Sequence, residues 1–293
     1  MMLIPLLALL AGAQAAPAPP APKPTPPPLP SDAVAADWRP IPDDELMVIT
    51  LAGNRTVVIR LVARLAPEHV ANVRKLALAH WWDETSVYRV QENWVTQWGD
   101  ATEKKPLPDT IVKLPAAEYD FAPIAFAQHL GMSDAYSSIS GVTADGWPIV
   151  GNGAQSWIPH CYGSVGVARD AAPDTGTGAE LFTPISGAAR RLDRNYTIVG
   201  RIIEGMKYLS AMPRSDAPLG VYATEGERTP ILSVRLASET PAGERPKFEY
   251  RSTDNVRFAA YIKLREHPAA PTIGLGGIDI CDLTLATRRV GVK

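Results

Sequence analysis

MVITLAGNRTVVIRLV, residues 47–62, decides the fold. Two runs rich in β-branched residues flank Ala52-Gly53-Asn54-Arg55, and the Gly-Asn pair supplies a turn, so the stretch reads as a β-hairpin. Next comes PEHVANVRKLALAHWW, residues 67–82, which reads as a helix. Pro67 suits a first helical turn, and Val70, Val73, Leu76, Ala77 and His80 fall on one helical face. Further strands are expected at 85–90, 94–98, 164–168, 181–185, 196–199 and 229–236, with a short helix at 205–212 ended by Pro213. Many short strands with two helices predict a mainly β chain, closed or nearly closed as an antiparallel barrel.

Outside these elements the pattern weakens. Residues 101–160 carry Pro, Gly and Ser at irregular intervals and read as a long, partly ordered excursion. After Ser238 the composition shifts, so 239–293 is expected to lie outside the barrel. The glycines of IGLGGIDICDL open no helix, which makes a phosphate-binding reading weak. At the other end, residues 1–15 form an apolar run closing on Ala13-Gln14-Ala15, a small-residue cleavage pattern, though no Lys or Arg precedes it. A proline-rich tract follows that no helix could continue through. The expected organisation is a signal peptide (1–15), a linker (16–37), a barrel domain (38–238) with a divergent insertion (101–160), and an extension (239–293). That places the protein in the periplasm or among secreted proteins.

Composition excludes several functions. With 46% apolar and 20% charged residues and a net charge of −2, the chain has no basic field for nucleic acid. It has no internal apolar stretch of about eighteen residues, so membrane contact is expected only through an uncleaved N-terminal signal. Two cysteines, Cys161 and Cys281, are open to two readings, a disulfide or a pair of buried thiols. His160 beside Cys161 does not make a metal site.

Two segments concentrate the chemistry: YRVQENWVTQWGD (88–100) and GAELFTPISGAARRLDRNYTIVG (178–200). They bring one arginine, one glutamine and several large apolar side chains, but no nucleophile, acid–base pair or metal cluster. Such a set suits a groove that binds and distorts a peptide rather than one that breaks covalent bonds. Asp174-Thr175-Gly176 matches an aspartic-protease signature, but it occurs once and follows Asp-Ala-Ala-Pro rather than an apolar strand. No Gly-x-Ser-x-Gly elbow is present.

The chain resembles the cyclophilins, a family of peptidyl-prolyl cis–trans isomerases. The likeness rests on the 56–62 strand, the 67–76 helix, Tyr88-Arg89-Val90, Gln97 with Gly99-Asp100, Gly166-Val167-Ala168-Arg169, Leu192-Asp193 through Gly200, and the 200–213 segment. It covers about residues 46–238 apart from much of 101–160. It implies an eight-stranded antiparallel barrel capped by two helices, no cofactor, and proline-containing segments of unfolded or exported proteins as partners. It also implies Arg89 as the essential arginine, Gln97 as its support and Tyr196 where many members have histidine. Trp94, Val95, Phe182 and Leu192 would wall a proline pocket, with Ala168 along the peptide groove.

Several positions depart from the family pattern. Glu180 stands where glutamine is common, Leu181 replaces an aromatic residue, and Trp98 replaces a small one. Arg191 replaces an aromatic residue that contributes to cyclosporin binding, which implies weak inhibition by that ligand. The Gly-rich groove loop is not recognisable in 101–160. These changes leave a second reading open, a catalytically weak peptide-binding module or chaperone on the same fold. A third is an assembly factor whose insertion and extension hold a partner.

Overall fold

The 47–62 stretch forms the expected hairpin. Strand β1 (Leu46–Leu51) pairs antiparallel with β2 (Arg55–Leu61), and Gly53 and Asn54 turn the chain with φ of 77° and 54°. The computed structural model describes residues 31–274 and 276–291. The proposed signal peptide and the tract up to Pro30 lie outside the described residues.

Six more strands complete the barrel: β3 (Ser86–Val90), β4 (Val95–Gly99), β5 (Ser164–Val167), β6 (Leu181–Pro184), β7 (Ile198–Glu204) and β8 (Thr229–Leu236). They close in the order β5-β6-β4-β3-β8-β1-β2-β7, with every neighbour antiparallel. Inside lie Met47, Ile49, Leu51, Val57, Ile59, Leu61, Trp98, Val165, Val167 and Leu181, all buried. Complete burial of each such side chain stabilises the fold by roughly 1.5–3 kcal/mol. Helices α1 (Pro67–Leu78) and α2 (Met206–Ser210) add Val70, Val73, Leu76, Ala77 and Leu209 to the same core.

Helix α1 is shorter than its apolar period suggested. His80 adopts φ 53°, and the amides of His80 and Trp81 turn back to the carbonyls of Ala77 and Leu76. This is a left-handed helix stop, which satisfies the last carbonyls and returns Trp81 to the core beside Leu76. His80 is therefore exposed beyond the helix rather than on its buried face.

The 101–160 insertion is ordered. After Asp100 it crosses α1, where Asn72 exchanges hydrogen bonds with Val112 (2.8 and 3.0 Å), then forms a four-stranded antiparallel sheet. Its strands are Gln128–His129, Ile139–Val142, Pro148–Gly151 and Ser156–Trp157. The extension does lie outside the barrel, but it packs on this sheet. Phe258 and Ile262 of helix α3 (Val256–Glu266), with Ile280 and Leu283, meet Leu130, Val142, Val150 and Trp157 in a second core. A disulfide joins Cys161 to Cys281, which decides between the two readings of the cysteines.

A third sheet, Trp38–Pro40, Lys247–Arg251 and Thr287–Val290, lies outside the barrel. Its Phe248 packs with Val58 of β2 in a further apolar cluster, so β2 is buried on both faces. That accounts for three successive apolar residues, Val57, Val58 and Ile59, where a half-exposed strand would alternate. Residues 31–37, placed in the linker by sequence, belong to the folded body. Asp37 is buried against Arg257, and Ser31 accepts a hydrogen bond from Arg251 (2.6 Å).

Candidate functional site

On the outside of the barrel, β3, β4, β5 and β6 lie side by side. Side chains alternate between faces along a strand. Trp98 and Leu181 therefore enter the core, while Val95, Gln97 and Phe182 point outward. Their register is direct: Phe182 pairs with Gln97, Pro184 with Val95, and Arg89 with Gln97 across the next ladder. Gly166 sits opposite Phe182, and a Cβ there would overlap the Phe182 ring. The missing side chain makes room for the aromatic floor of the site.

A cavity of about 190 Å³ results, lined by Arg89, Trp94, Val95, Gln97, Ala168, Arg169, Phe182, Leu192 and Tyr196. All eight residues singled out in the sequence meet here, and Arg169 joins them. Leu192 arrives on the Gly187–Leu192 turn, whose Ser186 cap accepts from Ala188 N–H (3.2 Å) and donates to Asn93 O (2.8 Å). That bond ties the turn to the loop carrying Trp94. The Ala168 amide donates to Glu180 O (2.8 Å), continuing the β5–β6 ladder to the rim.

Arg89 is held from three directions. Its Nε donates to Leu219 O (2.7 Å), Nη1 to Gln97 Oε1 (3.0 Å) and Nη2 to Gln91 Oε1 (2.6 Å). A guanidinium has five N–H groups, so one on each terminal nitrogen is left without an acceptor among the described residues. Burial pulls the Arg89 pKa below its ordinary value, while the hydroxyls of Tyr88 and Tyr196 act against that shift. No carboxylate lines the cavity.

Phe182 is braced by Tyr196 and by His160, whose part in the site sequence reasoning missed. The His160 ring stacks on it with centroids 6.0 Å apart and planes 9° from parallel, and Tyr196 meets it edge-on at 5.6 Å. Burial lowers the His160 pKa, so the ring is neutral at pH 7. Asp193 accepts from His160 N–H (2.8 Å), Trp157 Nε1 (3.1 Å) and Arg190 Nε (2.9 Å). Burial pushes the Asp193 carboxyl up, but its His160 and Arg190 partners outweigh this and hold it below the usual range. The Arg169 guanidinium covers the Tyr196 ring at 4.9 Å. Arg169 was visible in the sequence only as part of a motif, and His160 fell in a segment without readable period.

The Asp174-Thr175-Gly176 motif is a turn. Asp174 accepts from the amides of Asp170 (2.7 Å) and Gly176 (3.1 Å), and Thr175 Oγ1 donates to Pro115 O (2.7 Å).

A family model described as cyclophilin type peptidyl-prolyl cis-trans isomerase/CLD matches residues 46–236, more than half of the chain. The chain belongs to the cyclophilin family. It is a peptidyl-prolyl cis–trans isomerase of the cyclophilin type. The cyclophilin AquaCyp293 from Hirschia baltica has a similar structure at 23% identity, with a TM-score of 0.62 over 76% of this chain and 85% of that one. The likeness supports the fold. A Cryptosporidium parvum cyclophilin type peptidyl-prolyl cis-trans isomerase, solved in the presence of the dipeptide Ala-Pro, is 14% identical. It covers 65% of this chain and 98% of its own, with a TM-score of 0.41. No curated protein matches the chain. The cyclophilin barrel spans the matched residues, whereas the 239–293 extension falls beyond them.

Proposed function

We propose that Arg89 is the catalytic cation of this cyclophilin and that its substrates are proline-containing segments of exported proteins. Rotation about an X–Pro bond crosses a barrier of about 18–20 kcal/mol because amide resonance is lost. In the twisted state the nitrogen regains a lone pair. A guanidinium donor binds that nitrogen better than it binds the planar amide, which is differential stabilisation of the transition state. Lowering the barrier by about 5 kcal/mol would speed rotation roughly 10⁴-fold.

The observation that carries this reading is a fixed guanidinium, with two N–H groups that lack an acceptor among the described residues, at a cavity of about 190 Å³ whose walls include Val95, Phe182 and Leu192. A cavity of ~150 Å³ accepts benzene, so a volume of about 190 Å³ has room for a pyrrolidine ring. In this scheme Val95, Phe182, Leu192 and Trp94 hold the ring, and Ala168 lines the peptide path. Gln97 orients Arg89, and Tyr196 contributes a hydroxyl at the rim. No cofactor takes part. The Cys161–Cys281 disulfide supports work in an oxidising compartment, in agreement with an export signal at the N-terminus and a periplasmic or secreted location.

The test is cis–trans exchange of a short X–Pro peptide with and without the protein. The isomerase reading expects exchange well above the uncatalysed rate. Peptide binding without acceleration would instead make the chain a peptide-binding module.

A further inference from the structure

The Gly187–Leu192 turn, which brings Leu192 to the cavity, is anchored by Arg190. This side chain is buried, and its guanidinium meets three carboxylates from three parts of the chain. Nε donates to Asp193 Oδ2 (2.9 Å), just beyond the turn. Nη1 donates to Asp134 Oδ2 (2.9 Å) in the insertion and to Asp279 Oδ2 (3.3 Å) in the extension. Each carboxylate is itself held. Asp134 Oδ1 accepts from the amides of Tyr136 and Ser137 (both 2.8 Å). Asp279 Oδ1 accepts from the Cys281 amide (2.8 Å) and so caps the Ile280–Asp282 turn. That turn is also fastened by the Cys161–Cys281 disulfide, and Cys161 follows His160. Asp193 Oδ1 lies 3.2 Å from Nδ1 of the His160 ring, which stacks on Phe182.

We propose that the extension completes the isomerase site: Asp279 and Arg190 are positioning residues that hold the Leu192 wall and, through Asp193 and His160, the Phe182 floor. The proposal rests on the reading of this cavity as the proline pocket. Of the three acids, the barrel supplies only Asp193. The other two come from the insertion and the extension, which share a core built on Phe258 and Ile262. The family match ends at residue 236, so Asp279 is a part that this chain adds to the barrel. A guanidinium presents its donors in a rigid planar fork, and its bonds to charged acceptors are about twice as strong as neutral ones. Arg190 therefore sets the turn against both added segments at once.

Arg89 stands outside this network, since its acceptors are Leu219, Gln91 and Gln97. Loosening the wall and floor weakens the hold on the proline ring in the planar and twisted states alike. That raises KM and leaves kcat in place. A smaller folded fraction would do the reverse, lowering the apparent kcat at unchanged KM.

The experiment compares the full chain as wild type, Asp279→Ala, Arg190→Lys and the double variant. Asp279→Ala leaves Arg190 with two carboxylates, so no buried cation is stranded. Lysine keeps the charge at 190 but lacks the fork that spans three acids. On an X–Pro peptide KM should rise about threefold in Asp279→Ala and about tenfold in Arg190→Lys, with kcat within about twofold. The double variant should raise KM by less than the product of the single effects, as expected of residues in one network. In parallel, the Leu192 methyl signals are followed by NMR and should shift in Asp279→Ala. An unchanged KM in both single variants, with or without a lower kcat, or Leu192 signals that stay put in Asp279→Ala, would overturn the proposal. Absence of any wild-type isomerase rate would instead remove the isomerase reading, and the Leu192 signals would still decide whether the extension holds the cavity wall.

Discussion

Breaking the Cys161–Cys281 disulfide should weaken the whole molecule, because the bond joins the barrel side of the insertion to the extension. The two cysteines are 120 residues apart in sequence. On the chain-entropy model a cross-link closing a loop of that length restricts the unfolded chain by roughly 16 cal/mol/K, or about 5 kcal/mol at 25 °C. In a domain of this size each kcal/mol moves Tm by about 2–4 °C, so the loss corresponds to roughly 10–20 °C. The perturbation is the double variant Cys161→Ser/Cys281→Ser, and the assay is urea unfolding at neutral pH, checked by thermal melting. Cys161 follows His160, which stacks on Phe182, so the fall in stability should be accompanied by a modest fall in isomerase rate. A midpoint within about 1 kcal/mol of the wild type would refute the entropic reasoning.

Two further outcomes follow from single residues. Glu180 has a pKa of about 7 in the folded protein against 4.5 for an unperturbed carboxyl, so the folded state binds the extra proton between those values. Stability should therefore fall by about 3 kcal/mol as pH rises from 4.5 to 7 and then level off, a slope that Glu180→Gln removes in paired pH-dependent unfolding curves. Gly166→Ala would push a methyl group into the Phe182 ring. Overpacking of this kind costs about 1–3 kcal/mol, and kcat/KM should drop by at least about tenfold while circular dichroism stays native.

Much of the barrel was legible because its strands are long enough to carry a pattern. The 47–62 hairpin declares itself by β-branched runs around Gly53-Asn54, and β8 begins and ends where its residues suggest. The residues that line the cavity were legible through a motif order that composition alone would not supply. What sequence reasoning missed has physical causes. The strands in 101–160 are two to four residues long, too short for a period to emerge. Their core is completed by Phe258 and Ile262, more than a hundred positions away, so neither segment alone looks like half of a folded unit. The end of α1 depends on His80 taking a left-handed conformation, which no apolar pattern encodes. Glu180 stood out as a departure from the family pattern, but its bond from the Asp100 amide and its place over Gly99, which has no side chain, depend on neighbouring strands in register.

The central claim is that the Arg89 guanidinium acts on the twisted imide and not on the bound ground state. The direct measurement is NMR exchange of a saturating X–Pro peptide with wild type and Arg89→Ala, with peptide Kd taken from the same titration. Loss of a charge-assisted transition-state contact of about 3–4 kcal/mol predicts a rate lower by roughly 10²–10³-fold, with Kd changed by less than about tenfold. An Arg89→Ala protein that binds the peptide and isomerises it at the wild-type rate would contradict the account.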